Sequence, residues 1–152
     1  MSLRERIDAE IKAAMKSKDK VRLETVRGIK KFIIEKEVSL RPSGQDGLTE
    51  AQDMEILVQI AKQRRDSIEQ YRKGGREDLV AQEAAELAIV EEYLPRQMSD
   101  EEVSAVIDEV IATVGATSAK EMGKVMGAAM QQLKGKADGN KIQDMVKAKL
   151  NG

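Results

Sequence analysis

Hydrophobic residues recur every three or four positions along most of the chain, which is the spacing that places them on one face of an α-helix. In the first half this pattern predicts four helices, over about residues 3–17, 19–40, 49–73 and 76–93. Asp19 has the position of a helix cap, and Thr49 with Gln52 has the spacing of a capping box. Gly74 and Gly75 end the third helix, and so short a connection predicts an antiparallel pairing of the third and fourth helices.

The second half of the chain continues the helical spacing and predicts three further helices. The fifth begins after Ser99, the sixth after Ser118 and the seventh after Asp138. Glu102 and Glu121 each follow a serine by three residues, so both pairs have the spacing of a capping box. All regular structure expected from the sequence is therefore helical.

The stretch from Leu94 to Ser99 is the predicted boundary between two domains. Pro95 disfavours helical geometry in the residue before it, and a new helix cap follows at Ser99. We therefore predict an all-α fold, with an N-terminal bundle of about four helices in residues 1–95 and a small three-helix domain in residues 99–152.

The composition removes most of the side chains that enzymes use. The 152 residues include no Cys and no His, so thiolate nucleophiles, imidazole bases and the usual zinc ligands are excluded. The sequence MGKVMG at 122–127 lies inside a predicted helix and does not follow a strand, as a phosphate-binding loop would. We predict no catalytic residue, no metal site and no cofactor.

The N-terminal residues alternate charged and apolar side chains, unlike a secretory signal, and no apolar run reaches membrane-spanning length. Together with the absence of cysteine, this predicts a cytoplasmic protein that has no membrane partner. The pattern leaves the oligomeric state open.

Charge is distributed unevenly, although the whole chain sums to −1. Residues 99–114 carry five acidic side chains and no basic one, whereas residues 115–152 carry seven lysines against three acidic residues, for a net +4. A lysine cluster without arginine or aromatic residues suits contact with a phosphate backbone better than the recognition of bases. The alternative is a solvated face that the acidic fifth helix neutralises.

The sixth predicted helix contains glycine at two positions four residues apart, Gly123 and Gly127. Each costs about 1 kcal/mol relative to Ala inside a helix, so we expect another backbone to approach there. Tight packing against the fifth or seventh helix is one interpretation, and a surface for an RNA backbone or a partner helix is the other. Met122, Met126 and Met130 either fill the core or form an adaptable binding surface.

Two other basic groups also have competing interpretations. The turn from Lys134 to Lys141 opens a helix and has the features of a phosphate site, but Asp138 can cap the same backbone donors itself. In the third helix, Arg64 and Arg65 can contact phosphate or form ion pairs, such as one between Arg65 and Glu69.

Several segments resemble the YqeY family. They are the N-terminal LRERIDAEIKAAMKSKD, the stretch from Lys62 to Val103 that includes EYLP, and the stretch from Ser118 to Ile142 that includes MGKVMG and KGKADG. The resemblance covers nearly the full chain. It implies an all-helical protein whose C-terminal part is similar to the tail domain of the B subunit of the glutamine-dependent aminoacyl-tRNA amidotransferase, and that tail engages tRNA.

The resemblance also implies a site and a function. It places RNA-backbone contacts at Lys120, Lys124, Lys134, Lys136 and Lys141, and close approach at Gly123 and Gly127. We therefore predict a non-catalytic accessory protein that binds tRNA. The alternatives are a protein-interaction module that docks on a larger enzyme, and an amidotransferase-like carbon–nitrogen ligase with glutamine as the amide donor. For the ligase alternative, the chain has no cysteine that could release ammonia from glutamine.

Overall fold

The computed structural model describes residues 1–151, and within that range the chain forms seven α-helices and no strand. The helices are α1 (Leu3–Ser17), α2 (Lys20–Leu40), α3 (Glu50–Lys73), α4 (Glu77–Glu91), α5 (Asp100–Val114), α6 (Met122–Leu133) and α7 (Gly139–Asn151). Short 3-10 turns occupy Arg41–Ser43 and Ala119–Glu121. The predicted all-α fold class is confirmed.

Local sequence determines where several helices begin. The Asp19 side chain accepts a hydrogen bond from the Arg22 backbone and caps α2. Both elements of the predicted capping box, from Thr49 and Gln52, form at the start of α3. The box that Ser99 shares with Glu102 forms at the start of α5. These caps satisfy backbone donors that have no partner inside the helix.

The capping box predicted at Ser118 is wrong. Its side chain makes no capping hydrogen bond, because the chain turns through a 3-10 segment before α6 begins at Met122. The Glu121 carboxylate instead accepts the backbone N–H of Thr117 at 2.6 Å. The spacing of a capping box is therefore present without its geometry.

The chain divides into two compact units, Met1–Leu94 and Pro95–Gly152, here called the N-terminal and C-terminal units. In the N-terminal unit, α1 packs on α2, and α3 packs on α4 across the Gly74-Gly75 turn, as the short connection predicted. Its core consists mainly of branched aliphatic side chains from all four helices, including Ile7, Val26, Ile29, Ile33, Leu57, Ile60 and Val90.

The C-terminal unit has its own hydrophobic core. Helix α6 packs against both α5 and α7, and the three helices bury Val103, Ile107, Val110, Val125, Ala129, Leu133, Ile142 and Val146. Burial of such aliphatic side chains is the main force that holds a small helical unit together. Over residues 1–151, no helix has both the length and the apolar character needed to cross a membrane.

Candidate nucleic-acid interface

Helix α6 has an inner face and an outer face of different chemistry. Val125, Ala129 and Leu133 are fully buried in the core of the C-terminal unit. The three methionines of the helix are half-buried and pack against the same core, which supports the core-filling interpretation. The outer face, in contrast, carries only glycine, lysine and glutamine.

Gly123 and Gly127 lie on this outer face and are exposed to solvent. A Cβ added at either position would meet nothing within 4 Å. The expectation that these glycines pack tightly against α5 or α7 is therefore wrong, because both of those helices contact the opposite face of α6. Close approach by a partner outside the chain stays a prediction.

Lysines flank the two glycines. A row of exposed residues recurs at steps of three or four positions: Lys120, Lys124, Gly127, Gln131 and Lys134. This spacing places them along one side of α6 and its flanking turns, over about 20 Å at 1.5 Å per residue. We call this row, with Gly123 and Lys136, the α6 surface. Among the described residues, Lys120, Lys124 and Lys136 form no ion pair.

The lysines of α7 have a different environment. Lys141 Nζ lies 2.7 Å from an Asp100 carboxylate oxygen, and Lys149 Nζ lies 2.7 Å from one of Asp108. The acidic helix α5 therefore pairs with two of the three α7 lysines, in line with the alternative interpretation, but it forms no ion pair with Lys120 or Lys124 within residues 1–151. Of the five lysines predicted to contact RNA, Lys141 is the one that the fold places in an ion pair with α5.

The turn between α6 and α7 is capped internally. The Asp138 carboxylate accepts the Asn140 N–H at 3.2 Å, and the Asp138 carbonyl accepts the Ile142 N–H at 3.1 Å. A phosphate at this helix start would meet a carboxylate that already occupies the donors. The side chains of Lys134 and Lys136 are exposed on this turn. Any phosphate contact here therefore depends on their ammonium groups.

The residues that enter the C-terminal unit hold this turn in place. The Met98 N–H donates to the Lys136 carbonyl at 2.8 Å, and the Gln97 side-chain amide donates to the Gly135 carbonyl at 2.7 Å. Gly135 is buried and has a φ of 80°, a conformation that favours glycine. The backbone that carries Lys136 is therefore fixed by the segment before α5.

Arg96, the single arginine of the C-terminal unit, is engaged with the α5 capping box. It donates two hydrogen bonds to Glu102, the shorter at 2.6 Å. The Arg96 guanidinium and then the Ser99 backbone N–H lower the pKa of Glu102 from 4.5 to about 2. Arg96 is still exposed, but its guanidinium is already paired with a carboxylate.

The basic group on α3 is neutralised by the neighbouring helix. Arg64 donates to Glu83 at 3.0 Å and to the buried Glu86 carboxylate, both on α4. An Arg65 nitrogen lies 3.8 Å from a Glu91 oxygen. Glu69, the partner expected for Arg65, lies 3.4 Å from Lys73 on its own helix. Contacts between helices, which sequence spacing does not show, satisfy these guanidiniums.

A further basic group lies in the N-terminal unit, outside the residues that the family resemblance indicates. Four exposed lysines lie on the C-terminal half of α1, in the turn after it and at the start of α2, and none forms an ion pair among the described residues: Lys12, Lys16, Lys18 and Lys20. A charge count over residues 12–31 gives eight basic side chains against two acidic ones, a net +6 that exceeds the C-terminal excess. Local charge density would have identified this segment.

A sequence model of the YqeY-like protein family matches residues 4–150. The chain is 34% identical over 155 residues to altered inheritance of mitochondria protein 41, mitochondrial, from Pyrenophora tritici-repentis, covering 95% of this chain and 81% of the relative. It is 37% identical over 105 residues to the protein of the same name from Kluyveromyces lactis, covering 67% and 55%. A glutamyl-tRNA(Gln) amidotransferase subunit from Thermococcus gammatolerans is 31% identical over 121 residues.

The extent of these matches differs. The chain spans about half the length of the Kluyveromyces relative, and the match to the Thermococcus subunit covers 77% of this chain but 18% of that protein. The fungal relatives are named as mitochondrial proteins, which contradicts the predicted cytoplasmic location. That prediction was wrong because it rested on the absence of recognised targeting features, and an absence does not specify a compartment.

Proposed function

The chain belongs to the YqeY-like protein family, and from this premise we propose that it is a non-catalytic accessory protein that binds tRNA through the α6 surface. The Thermococcus relative is named as a subunit of a glutamyl-tRNA(Gln) amidotransferase. The shared segment is a small part of that subunit, so the proposal carries over contact with tRNA and leaves amide transfer aside.

The observation that supports this proposal most directly is the open lysine and glycine row on α6. Lys120, Lys124 and Lys136 are exposed and unpaired within residues 1–151, so phosphates need not displace a carboxylate to reach them. The open space above Gly123 and Gly127 lets a ribose-phosphate backbone approach the helix without meeting a side chain. Lysines contribute non-specific attraction through counterion release.

The same surface defines the kind of recognition to expect. It carries no arginine for a bidentate contact with guanine and no aromatic ring on which a base could stack. We therefore expect binding that depends on the phosphate backbone and on the shape of the RNA. Its affinity should vary strongly with salt and weakly with tRNA sequence.

The test compares two triple variants of the full chain that have equal net charge. In the first, Lys120, Lys124 and Lys136 are changed to Gln. In the control, three α7 lysines are changed to Gln instead, namely Lys141, Lys147 and Lys149. Binding of unfractionated tRNA is measured across a salt series. We expect the first variant to reduce the slope of log affinity against log salt by about 2, since each lost phosphate contact removes about 0.7–0.9.

The control variant should keep most of the slope, because Lys141 and Lys149 already pair with Asp100 and Asp108. Circular dichroism of both variants establishes that they remain helical. Equal slopes for the two variants and the unmodified chain would overturn the α6 assignment. Failure of the unmodified chain to bind tRNA at low salt would overturn the proposed function itself.

A protein-docking role is the second candidate, and one observation favours it. The segment shared with the Thermococcus subunit is 18% of a larger polypeptide, so a related sequence exists as part of a larger protein. Purification from cells after nuclease treatment distinguishes the two functions. A stoichiometric protein partner that persists without RNA supports docking, whereas loss of all partners with the RNA supports tRNA binding.

A further inference from the structure

The turn between α1 and α2 is the most basic exposed feature of the N-terminal unit. We define the hairpin tip as residues 12–21, in which Lys12 and Lys16 lie on α1, Lys18 lies in the turn and Lys20 begins α2. All four side chains are exposed, and none forms an ion pair among the described residues. Their ammonium groups are therefore open to an anionic partner.

The acidic residues near the tip are engaged with other cations. Asp8, which lies near Lys12, pairs with Lys30 at 2.6 Å, and both Glu10 and Glu92 pair with Arg22. Asp19 caps α2 by accepting the Arg22 N–H at 3.1 Å, and its second oxygen lies 3.8 Å from the Arg22 guanidinium. Glu24 is the next acidic residue and pairs with no lysine within residues 1–151. Since Asp19 occupies the start of α2, any attraction at the tip comes from the lysine side chains and not from unpaired backbone donors.

The backbone of the turn adds a second observation. Lys18 has a φ of 59°, and it is the one described non-glycine residue with a positive φ. The N–H groups of Lys18 and Asp19 both donate to the Ala14 carbonyl, which holds the turn in this conformation. Glycine or asparagine adopts this conformation at lower cost than lysine. These two hydrogen bonds fix the turn backbone that carries Lys18.

We propose that the hairpin tip is a second phosphate-contacting surface, located in the N-terminal unit, through which the chain binds an RNA backbone. This inference rests on the proposed tRNA binding and adds a site that the C-terminal lysines do not include. RNA fits better than an anionic bilayer because the apolar side chains exposed at the tip are few. Met15 and Val21 are 55% and 44% exposed, and no aromatic anchor accompanies them.

The experiment uses the full chain and unfractionated tRNA. Lys12, Lys16 and Lys20 are changed to Gln, while Lys18 is kept so that the turn backbone is undisturbed. The matched control changes Lys31, Lys62 and Lys73, three exposed lysines elsewhere in the N-terminal unit. We expect the tip variant to reduce the salt slope by about 2 and to weaken low-salt binding at least tenfold. The control should change affinity by less than threefold.

The outcomes separate this inference from the proposed function. If the salt slope is unchanged in the tip variant but reduced in the α6 variant, the proposed phosphate contact at the tip is overturned and the proposed tRNA binding stands. If the salt slope is reduced in the tip variant alone, RNA contact at the tip is supported and RNA contact at the α6 surface is overturned. Binding of the unmodified chain to phosphatidylserine vesicles that the tip variant loses, with tRNA affinity unchanged, assigns the tip to a membrane and overturns the inference.

Discussion

Glu102 joins two features of the C-terminal unit, because its carboxylate completes the α5 capping box and also receives Arg96. Its pKa is about 2 in the folded chain, below its ordinary 4.5. A lowered folded pKa stabilises the fold above the unfolded value, and that contribution is lost as the pH falls from about 4.5 towards 2.

We therefore predict that Glu102→Gln lowers the free energy of unfolding near neutral pH, and that the difference from the unmodified chain shrinks below about pH 4.5. Gln keeps the capping contact but loses the charge that Arg96 stabilises. Denaturant unfolding of both chains between pH 2 and pH 6 measures the difference. A difference that does not change with pH, or one that Glu101→Gln reproduces, would contradict this account.

Helix α6 combines good core packing with an outer face that weakens the helix. Gly127 lies in the helix interior and Gly123 near its start, and both have open space where a side chain would be. Gly127→Ala should therefore raise the free energy of unfolding by about 1 kcal/mol, and Gly123→Ala by less. Both changes should weaken tRNA binding if a backbone approaches this face.

The matched control is Gly28→Ala on α2, which also meets nothing within 4 Å. It should stabilise the chain without changing tRNA affinity. Thermal unfolding and the tRNA binding assay provide the two measurements. Stabilisation at Gly127 without any loss of affinity would show that nothing approaches that face closely.

Helices and their caps could be predicted from sequence wherever the interactions are local. Asp19, Thr49 and Ser99 cap helices as their spacing indicated, since each bond joins residues only three positions apart. The spacing of Val125 and Leu133 already places Gly127 away from the core face of α6, so the interhelical contact expected at the two glycines disagreed with the helical pattern itself. Ser118 does not cap α6, although Glu121 follows it at the spacing of a capping box. A 3-10 turn separates Ser118 from the first residue of the helix.

Across the whole chain, each compact unit has a separate hydrophobic cluster. Ile107 is fully buried in the C-terminal cluster, so Ile107→Ala should destabilise that unit by about 2–5 kcal/mol. We expect amide exchange to accelerate in α5, α6 and α7 while protection in α1 to α4 is retained. Ile29→Ala should produce the reverse pattern. Uniform acceleration in both units would show that they unfold together.

Ion pairing between helices decides which charges remain available, and this could not be predicted from composition. Lys141 and Lys124 are equivalent in a charge count and both are exposed, yet the fold pairs the first with Asp100 and leaves the second without an ion pair among the described residues. The family resemblance indicates the C-terminal lysines, whereas the larger positive charge lies in residues 12–31. Charge counts locate basic segments, but the packing of helices selects the lysines that can act.

The two hydrogen bonds that Gln97 and Met98 donate to the turn before α7 determine where the chain can be cut. A fragment that begins at Ser99, where the sequence places the domain start, would lack both donors and leave the buried Gly135 carbonyl without its amide partner. A fragment that begins at Pro95 would retain them. Any excised version used for binding work should therefore include the four residues before Ser99, since the orientation of Lys136 depends on them.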